Sequence, residues 1–216
     1  MSYTCLGGGF AGGLRSRGKA LQRRYVILVL GVAGVGKTVF GRALASLLGL
    51  KFIDVPELVE RRKLYSGYDV ESKAYLVDLR KLSAAIGSEL RGGGVLASVY
   101  AFKPRGVRVS WAIILRVRPT RLLEILRGRG YPDEKIRENV SAELIDQPLV
   151  EAIQKFGRRK IVQLDATDVD LESLARRAAE AIKSRTFRQL DRKIDWIGEL
   201  ERSGELEELL RFLESG

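Results

Sequence analysis

The sequence contains no histidine among its 216 residues. This absence excludes every mechanism that needs an imidazole as general base or as metal ligand. The single cysteine, Cys5, cannot form a disulfide within the chain and is typical of a reducing compartment. The longest apolar runs have the length of strands, and the first residues lack the pattern of a signal peptide. From the sequence we therefore expect a cytoplasmic protein without a membrane span.

Acidic side chains are fewer than basic ones, with 27 Asp and Glu against 38 Lys and Arg, so the net charge is +11. Such an excess favours polyanionic partners such as RNA, yet nucleotide binding and simple solubility are equally compatible with it. A length of 216 residues is typical of one domain with appendages. Charge and length thus limit the possible classes of protein but do not determine its function.

The most informative stretch is glycine-rich and fits the pattern G-x-x-x-x-G-K-[ST] from Gly31 to Thr38. An apolar, β-rich run precedes it at 25–30, and apolar residues at helical spacing follow it at 39–48, so a strand leads through the loop into a helix. Glycines permit positive φ values, which bring backbone N–H groups and the positive end of the helix dipole to a phosphate. The pattern predicts a phosphate-binding P-loop.

Two side chains add chemistry to the backbone of this loop. Lys37 carries a full positive charge that reaches the β- and γ-phosphates, and the Thr38 hydroxyl is a ligand for Mg²⁺. We therefore predict ATP and Mg²⁺ as cofactors, with Thr38 as the metal ligand. The residues predicted to bind ATP are Gly34, Val35, Gly36, Lys37, Thr38, Val39 and Arg129.

Strand-like and helix-like patterns alternate over 25–185, which predicts a three-layer α/β/α domain with a parallel sheet. A long helical pattern covers 133–156, and Pro148 is expected to kink or divide that helix. The alternation is interrupted at about 54–78, a polar and aromatic block that we interpret as the region for a phosphoryl acceptor. The other predicted strands lie at 51–54, 95–100, 110–117 and 159–164, and the other predicted helices lie at 56–63, from after Asp78 to Arg91, at 119–128 and at 169–183.

A lid is predicted at about 128–138. Arg129 lies between two glycines, and we predict that it closes over the phosphates and, with Lys37, neutralises the migrating phosphoryl group. An exposed surface arginine is the alternative. Arg116, at the carboxyl end of an inner strand where α/β sheets bind ligands, is either a further ligand residue or a salt-bridged structural arginine.

Both ends of the chain differ from the P-loop domain. Residues 1–24 are basic and glycine-rich with few large apolar groups, so we predict a disordered tail there. That segment is either a solvated tail, a misassigned start or an arm that contacts nucleic acid. Residues 186–216 are predicted to form a helical extension with amphipathic helices at 191–200 and 205–213, which either dock on the domain or bind a partner.

The acid that completes a magnesium site is missing from its usual position. P-loop enzymes normally place it at the end of a strand beside the P-loop strand, and this chain has Ser98 and Tyr100 there. Asp54 and Asp78 also follow apolar runs, so each is a substitute acid, a helix N-cap or part of the acceptor region. Asp165 ends the last strand, either near an adenine ring or as a helix cap.

Four stretches resemble the atypical adenylate kinases that are linked to maturation of the small ribosomal subunit, in particular their archaeal branch. They lie at 31–38, 64–69, 75–78 and, most specifically, at 129–143, where the sequence is R-G-Y-P-D-E-K-I-R-E-N-V-S-A-E. The similarity extends over about 25–184 and includes the Asp195-Trp196 pair.

The resemblance implies a five-stranded parallel sheet, an acceptor region near 54–78 and a lid near 128–138. It implies reversible phosphoryl transfer from ATP to AMP, with tolerance for other nucleoside monophosphates. It also implies a slower ATPase activity tied to release of a small-subunit ribosomal protein during pre-rRNA processing, which makes that protein and pre-rRNA expected partners. The family's usual strand acid, and the histidine two residues later, are replaced here by Ser98 and Tyr100.

Two functions of different classes remain open from the sequence. One is a nucleoside monophosphate kinase that converts ATP and AMP into two ADP. The other is a ribosome-assembly factor that uses nucleotide as a switch with little chemistry, because loss of one preorganised electrostatic group typically costs about 10²–10³ in rate. A kinase for a small metabolite such as shikimate shares the P-loop, but the 129–143 stretch argues against it.

Overall fold

A computed structural model describes residues 25–69 and 74–215 of the chain. The strands of this part, labelled β1 to β7, are Val26–Leu30, Phe52–Asp54, Tyr65–Asp69, Ala74–Val77, Gly94–Ala97, Trp111–Arg116 and Ile161–Asp165. Its α-helices, labelled α1 to α9, are Lys37–Leu48, Val55–Arg62, Leu79–Glu89, Pro119–Gly128, Asp133–Leu144, Gln147–Phe156, Leu171–Lys183, Trp196–Ser203 and Leu206–Glu214. Short 3₁₀ helices lie at Arg158–Lys160 and Phe187–Leu190. The predicted tail at 1–24 lies outside the described residues.

Five strands form one parallel sheet in the order β2-β5-β1-β6-β7. The central strand β1 pairs on both sides, with Leu28 opposite Leu96 of β5 and opposite Ala112 of β6. All five strands end at the same edge of the sheet, which is where such folds bind their ligands. This architecture confirms the predicted α/β fold with a five-stranded parallel sheet.

Apolar side chains cover both faces of the sheet, as expected for parallel strands that are buried on both sides. Ile27 and Val29 of β1 face a core completed by α1, α4, α5, α7, α8 and α9. Leu28 faces a second core, completed by α2, α3 and α6. Within the described ranges, every helix is too short or too polar to cross a membrane.

The block at 54–78 contains α2 and an antiparallel hairpin of β3 and β4. From the sequence this block is polar and aromatic and no strand pair is predicted within it, so the hairpin is found only in the structure. The register of the two strands shifts between Tyr65 and Gly67. This shift interrupts the alternation of apolar and polar residues by which a strand is recognised in a sequence. The hairpin is held in part by the Ser66 hydroxyl, which donates to the Leu76 carbonyl over 3.1 Å.

The helical pattern at 133–156 forms two helices in the structure, which confirms the prediction that the helix is divided. The break lies before Pro148, however, and not at this residue. The helices α5 and α6 are separated by Ile145 and Asp146, and Asp146 has a φ of 60°. Its carboxylate forms an ion pair with Arg116, which fixes the turn at this point. Pro148 falls in the first turn of α6, where its missing N–H group costs nothing.

The prediction of a helix at 191–200 is wrong for the first half of that range. Residues 191–195 are not helical, and α8 begins only after its N-cap, Asp195. The side chain of Asp191 instead accepts the backbone N–H of Gln163 over 2.9 Å, on β7 at the edge of the sheet. The edge strand needs partners for its free backbone groups, and this contact outweighs the local helical pattern.

The two C-terminal helices pack against the domain. Trp196 and Leu200 of α8 and Leu209 of α9 are buried in the core on the α1 side of the sheet. Phe212 of α9 lies under the guanidinium of Arg127, with 4.8 Å from the guanidinium carbon to the ring centroid. Of the two alternatives for this extension, the structure therefore shows the docked arrangement.

Candidate functional site

The P-loop connects β1 to α1 at the carboxyl edge of the sheet. Its glycines Gly31, Gly34 and Gly36 have φ values of 146°, 92° and 89°. A Cβ atom on Gly36 would lie 2.3 Å from Leu171 Cδ1, and one on Gly34 would lie 2.9 Å from Leu126 Cδ2. The loop is thus packed between α4 and α7, and glycine alone suits both the backbone angles and these close approaches.

Lys37 points back into its own loop, where Nζ donates to the backbone carbonyl of Val32 over 2.7 Å. Burial lowers the pKa of Lys37 to about 8. The carboxylates of Asp54 and Glu143 act in the opposite direction, and the positive charge of Arg129 lowers the pKa further. An ammonium with so little solvent around it gains strongly from an incoming phosphate, because the anion replaces the lost solvation.

Thr38, the predicted metal ligand, is hydrogen-bonded to a carboxylate: its Oγ1 donates to Asp54 Oδ2 over 2.7 Å. Asp54 ends β2 and is the N-cap of α2, where its other oxygen accepts the N–H of Glu57 over 3.4 Å. Strand β5 separates β2 from β1, so this side chain reaches the P-loop helix from the edge of the sheet. The structure thus brings Thr38 together with one of the two candidate substitute acids.

The other candidate acids accept hydrogen bonds from nearby backbone groups. Asp78 is the N-cap of α3 and accepts the N–H of Lys81 over 3.1 Å, which holds the pKa of its carboxyl below the usual range. Asp165 accepts the N–H of Thr167 over 2.9 Å, in the turn that follows β7. The N-cap of α7 is Asp170. For Asp78 the structure therefore favours the capping alternative, whereas Asp165 closes the turn after β7 and is not the cap of α7.

Ser98, at the usual position of the strand acid, is fully buried and turned toward its own backbone. Its hydroxyl donates to the Tyr100 carbonyl over 2.9 Å and accepts the Tyr100 N–H over 3.1 Å. The side chain of Tyr100 is 60% exposed. This closed turn leaves the end of β5 without a carboxylate that could hold Mg²⁺.

The two candidate arginines have different surroundings. Arg129 follows α4, is exposed, and lies close enough to Lys37 for its charge to lower the pKa of that lysine. Arg116 is fully buried, and its Nε donates to Glu143 Oε1 over 2.6 Å while the same guanidinium pairs with Asp146. Arg116 is thus the salt-bridged structural arginine, and Arg129 alone of the two is accessible to a ligand.

Asn139 contacts the P-loop, and no sequence pattern predicts it. Its Oδ1 accepts the N–H of Ala33 over 2.9 Å, and its amide donates to the Lys135 carbonyl over 2.7 Å. Lys135, Asn139 and Glu143 follow one another at intervals of four, so they share one face of α5. The available signal is that Asn139 is the only asparagine in the chain and lies within the 129–143 stretch.

A cavity of about 300 Å³ opens beside the P-loop. Its walls include Val32 and Ala33 of the loop, Tyr100 after β5, and Tyr131 and Lys135 of the predicted lid. This size and this mixture of aromatic and polar side chains suit a small ligand. The cavity thus provides room for a ligand between the P-loop and the predicted lid.

The sequence is similar to known P-loop proteins. A family model described as an AAA domain matches residues 27–146. A protein of Methanocaldococcus jannaschii described as "Putative adenylate kinase" is 32% identical over 170 residues, which cover 79% of this chain and 92% of that protein. A protein of Saccharolobus solfataricus with the same description is 29% identical over 192 residues, which cover 88% of this chain and 97% of that protein.

Solved structures share the fold. A gluconokinase from Sinorhizobium meliloti 1021 matches with a TM-score of 0.50 and 20% identity, over 76% of this chain and 95% of that chain. A shikimate kinase from Bacteroides thetaiotaomicron matches with a TM-score of 0.50 and 20% identity, over 74% of this chain and 98% of that chain. At this identity the likeness supports the P-loop kinase architecture and no particular substrate.

Proposed function

We propose that this chain, which belongs to the family of these archaeal relatives and of the matching AAA-domain model, is a nucleoside monophosphate kinase of the adenylate kinase type. The γ-phosphoryl group of ATP then passes to AMP or to another nucleoside monophosphate, and with AMP the products are two ADP. The description of the relatives supports a phosphotransferase that acts on nucleotides. ATP and Mg²⁺ are its proposed cofactors.

The observation that carries the proposal is the P-loop of positive-φ glycines that holds Lys37, with the exposed Arg129 near enough for its charge to act on that lysine. Lys37 comes from the P-loop and Arg129 from the end of α4, and the charge of Arg129 lowers the pKa of Lys37. Holding two cations together is unfavourable until an anion lies between them. Phosphoryl transfer requires charge neutralisation and positioning rather than covalent chemistry, and this arrangement provides both.

Each part of the site has a proposed role. Lys37 and Arg129 neutralise the migrating phosphoryl group, and the Thr38 hydroxyl is an oxygen ligand for Mg²⁺, which shields the β- and γ-phosphates when it is bound with ATP. The block at 54–78 holds the acceptor, and 128–138 closes as a lid that excludes water. The backbone N–H groups that hold the phosphates belong to Gly34, Val35, Gly36, Lys37, Thr38 and Val39.

Transfer of label from γ-labelled ATP tests the acceptor class. The purified chain is incubated with Mg²⁺ and labelled ATP in the presence of AMP, CMP, UMP, GMP, shikimate or gluconate, and the labelled product is separated by chromatography. We expect labelled ADP with AMP, and lower yields of the other nucleoside diphosphates. Label in a shikimate or gluconate phosphate, with none in a nucleoside diphosphate, would contradict the proposal.

A second candidate function is a nucleotide-dependent assembly factor that binds a small-subunit ribosomal protein and pre-rRNA, with weak kinase or ATPase turnover. A specific surface favours it: a basic cleft of about 370 Å³, lined in part by Lys103, Arg108, Lys155 and Lys160. Among the described residues that line this cleft, none is acidic. Arg108 and Lys160 precede β6 and β7, so the cleft lies at the edge of the sheet opposite the P-loop.

Binding to single-stranded RNA across a salt series tests this candidate. RNA bound in the basic cleft should dissociate as salt rises, because each neutralised phosphate releases counterions. The Lys155→Glu and Lys160→Glu double variant should lose the binding, whereas the Arg176→Glu and Lys183→Glu double variant, on the exposed face of α7, changes the net charge by the same amount and serves as the control. Undetectable binding at low salt, or equal binding by the double variant, would remove this candidate.

A further inference from the structure

The strand beside the P-loop strand ends without an acid. P-loop enzymes normally use a carboxylate near this position to hold Mg²⁺ directly or through water. Here the end of β5 carries Ser98, which is fully buried and whose hydroxyl is bonded to the backbone of Tyr100. If Thr38 is a metal ligand, its partner carboxylate must come from another element.

Asp54 brings a carboxylate to Thr38 from the outer strand β2. The distance from Thr38 Oγ1 to Asp54 Oδ2 is 2.7 Å. Thr38 is exposed and Asp54 is half-buried, so both are open to a ligand that enters from solvent. Asp54 also raises the pKa of Lys37 against the effect of burial, so its charge acts on the cation that is proposed to bind the phosphates.

Helix capping alone does not account for the geometry of Asp54. Asp78 caps α3 through bonds of 3.0 and 3.1 Å to two backbone N–H groups. Asp170 caps α7 through bonds of 3.4 and 2.9 Å. Asp54 has one long cap bond of 3.4 Å, and its other oxygen points away from the helix to Thr38. This carboxylate is therefore shared between the cap and the P-loop.

We propose that Asp54 takes the place of the missing strand acid and forms, with Thr38, the protein's share of the magnesium site for ATP. Mg²⁺ prefers oxygen ligands and is usually bound by one or two carboxylates together with substrate phosphates. A hydroxyl and a carboxylate beside a P-loop meet this requirement. Within the described residues, no group of three or more acidic or cysteine side chains could hold a metal ion, and the phosphates of ATP and water would supply the remaining ligands.

The inference rests on the proposed binding of ATP at the P-loop, so the test measures ATP affinity and its dependence on magnesium separately. ATP is titrated calorimetrically into the chain in excess Mg²⁺ and in EDTA. The variant Asp54→Asn keeps the size of the side chain and one acceptor oxygen, which can serve either the cap or Thr38, but removes the charge, and Asp54→Ser is a second variant that retains a capping oxygen. Asp195→Asn, at the N-cap of α8, is the matched control.

A second readout reports the metal itself. Electron paramagnetic resonance of Mn²⁺ with ADP measures the free metal ion at increasing protein concentration. We expect the wild type and Asp195→Asn to bind ATP more tightly with Mg²⁺ than in EDTA. Asp54→Asn should lose most of that gain and bind Mn²⁺ with ADP about 10- to 100-fold more weakly, while its affinity for ATP in EDTA is retained.

The outcomes separate this inference from the proposed function. Equal magnesium dependence in the wild type and both Asp54 variants overturns the role of Asp54 and leaves the kinase proposal standing. Loss of magnesium dependence in Ser98→Ala, with Asp54→Asn unchanged, assigns the metal to the end of β5 and also overturns it. A wild-type chain that fails to bind ATP in either medium overturns the proposed function, and the inference with it.

Discussion

Trp196 Nε1 donates a hydrogen bond to Glu143 Oε1 over 2.8 Å, and this bond joins α8 to α5. The same oxygen accepts Arg116 Nε over 2.6 Å. Glu143 is fully buried, and burial raises the pKa of its carboxyl while the Arg116 charge opposes that effect. A C-terminal helix thus completes an ionic cluster within the core, and its contribution to stability is measurable.

Removal of the indole N–H donor of Trp196 is expected to lower the stability of the fold. Trp196→Phe should lower the free energy of unfolding by about 1.5–3 kcal/mol, because it removes a hydrogen bond to a buried charged group while keeping an aromatic ring in place. Urea denaturation followed by circular dichroism measures the change. Trp111→Phe, at a partly buried tryptophan that packs against the same core and contacts Phe187, is the control. An equal loss in the two variants would show that the bond to Glu143 contributes nothing of its own.

The amide of Asn139 should matter for ATP binding rather than for folding. Asn139→Ala deprives the Ala33 N–H of its acceptor, so the P-loop is held less firmly in the conformation that receives a phosphate. One hydrogen bond of this kind corresponds to an ATP dissociation constant about 3- to 10-fold higher. Ser141→Ala, on another face of α5, is the control. Unchanged ATP affinity in Asn139→Ala would contradict this role.

The lowered pKa of Lys37 predicts that ATP affinity falls at alkaline pH. Below about pH 8 the amine is charged in the free protein and attracts phosphate. As the pH rises through this value the free protein loses the proton, so binding must take one up, and the dissociation constant should increase by up to about tenfold per pH unit. Calorimetry between about pH 7 and 9.5, in buffers of different ionisation enthalpy, measures affinity and proton uptake together. A flat profile without proton uptake would count against a charged Lys37 at the phosphates.

The exposed Arg129, within the predicted lid, should affect the chemical step. Arg129→Ala is expected to lower kcat by about 10²-fold or more with a smaller change in KM for ATP, because the charge it neutralises develops during transfer. Arg127, two residues earlier, lies over the Phe212 ring, so Arg127→Ala should mainly reduce stability. Steady-state kinetics of both variants distinguishes the two arginines. If Arg129→Ala retains full turnover, Arg129 is only the surface arginine that the sequence also allowed.

Elements with a strong local pattern are predictable from this sequence. The apolar run of β1, the glycine loop and the amphipathic α1 each follow from residues close together in the chain. The conformation of the segment at 191–195 does not follow from neighbouring residues, because the side chain of Asp191 accepts a hydrogen bond from the backbone of Gln163 at the edge of the sheet. The hairpin of β3 and β4 is likewise hidden by the register shift between Tyr65 and Gly67.

In the candidate site, too, contacts between residues that are distant in the sequence could not be predicted. Lys37 and Thr38 are marked by a local motif, whereas the contact of Asn139 with Ala33 spans 106 positions and has no local signature. Asp54 and Asp78 are equivalent in sequence, since both follow apolar runs and both cap helices. Only the sheet order and the resulting approach to Thr38 distinguish Asp54.

Transfer of a phosphoryl group from ATP to a nucleoside monophosphate at the P-loop is the proposed reaction. The most direct measurement follows ADP and free phosphate together after the chain is mixed with ATP and Mg²⁺, with and without AMP, in the wild type and in Lys37→Ala. We expect ADP that forms only when AMP is present, little free phosphate, and loss of turnover in Lys37→Ala. Full turnover in Lys37→Ala, free phosphate release that is independent of AMP, or tight ATP binding with neither product would contradict the proposed reaction.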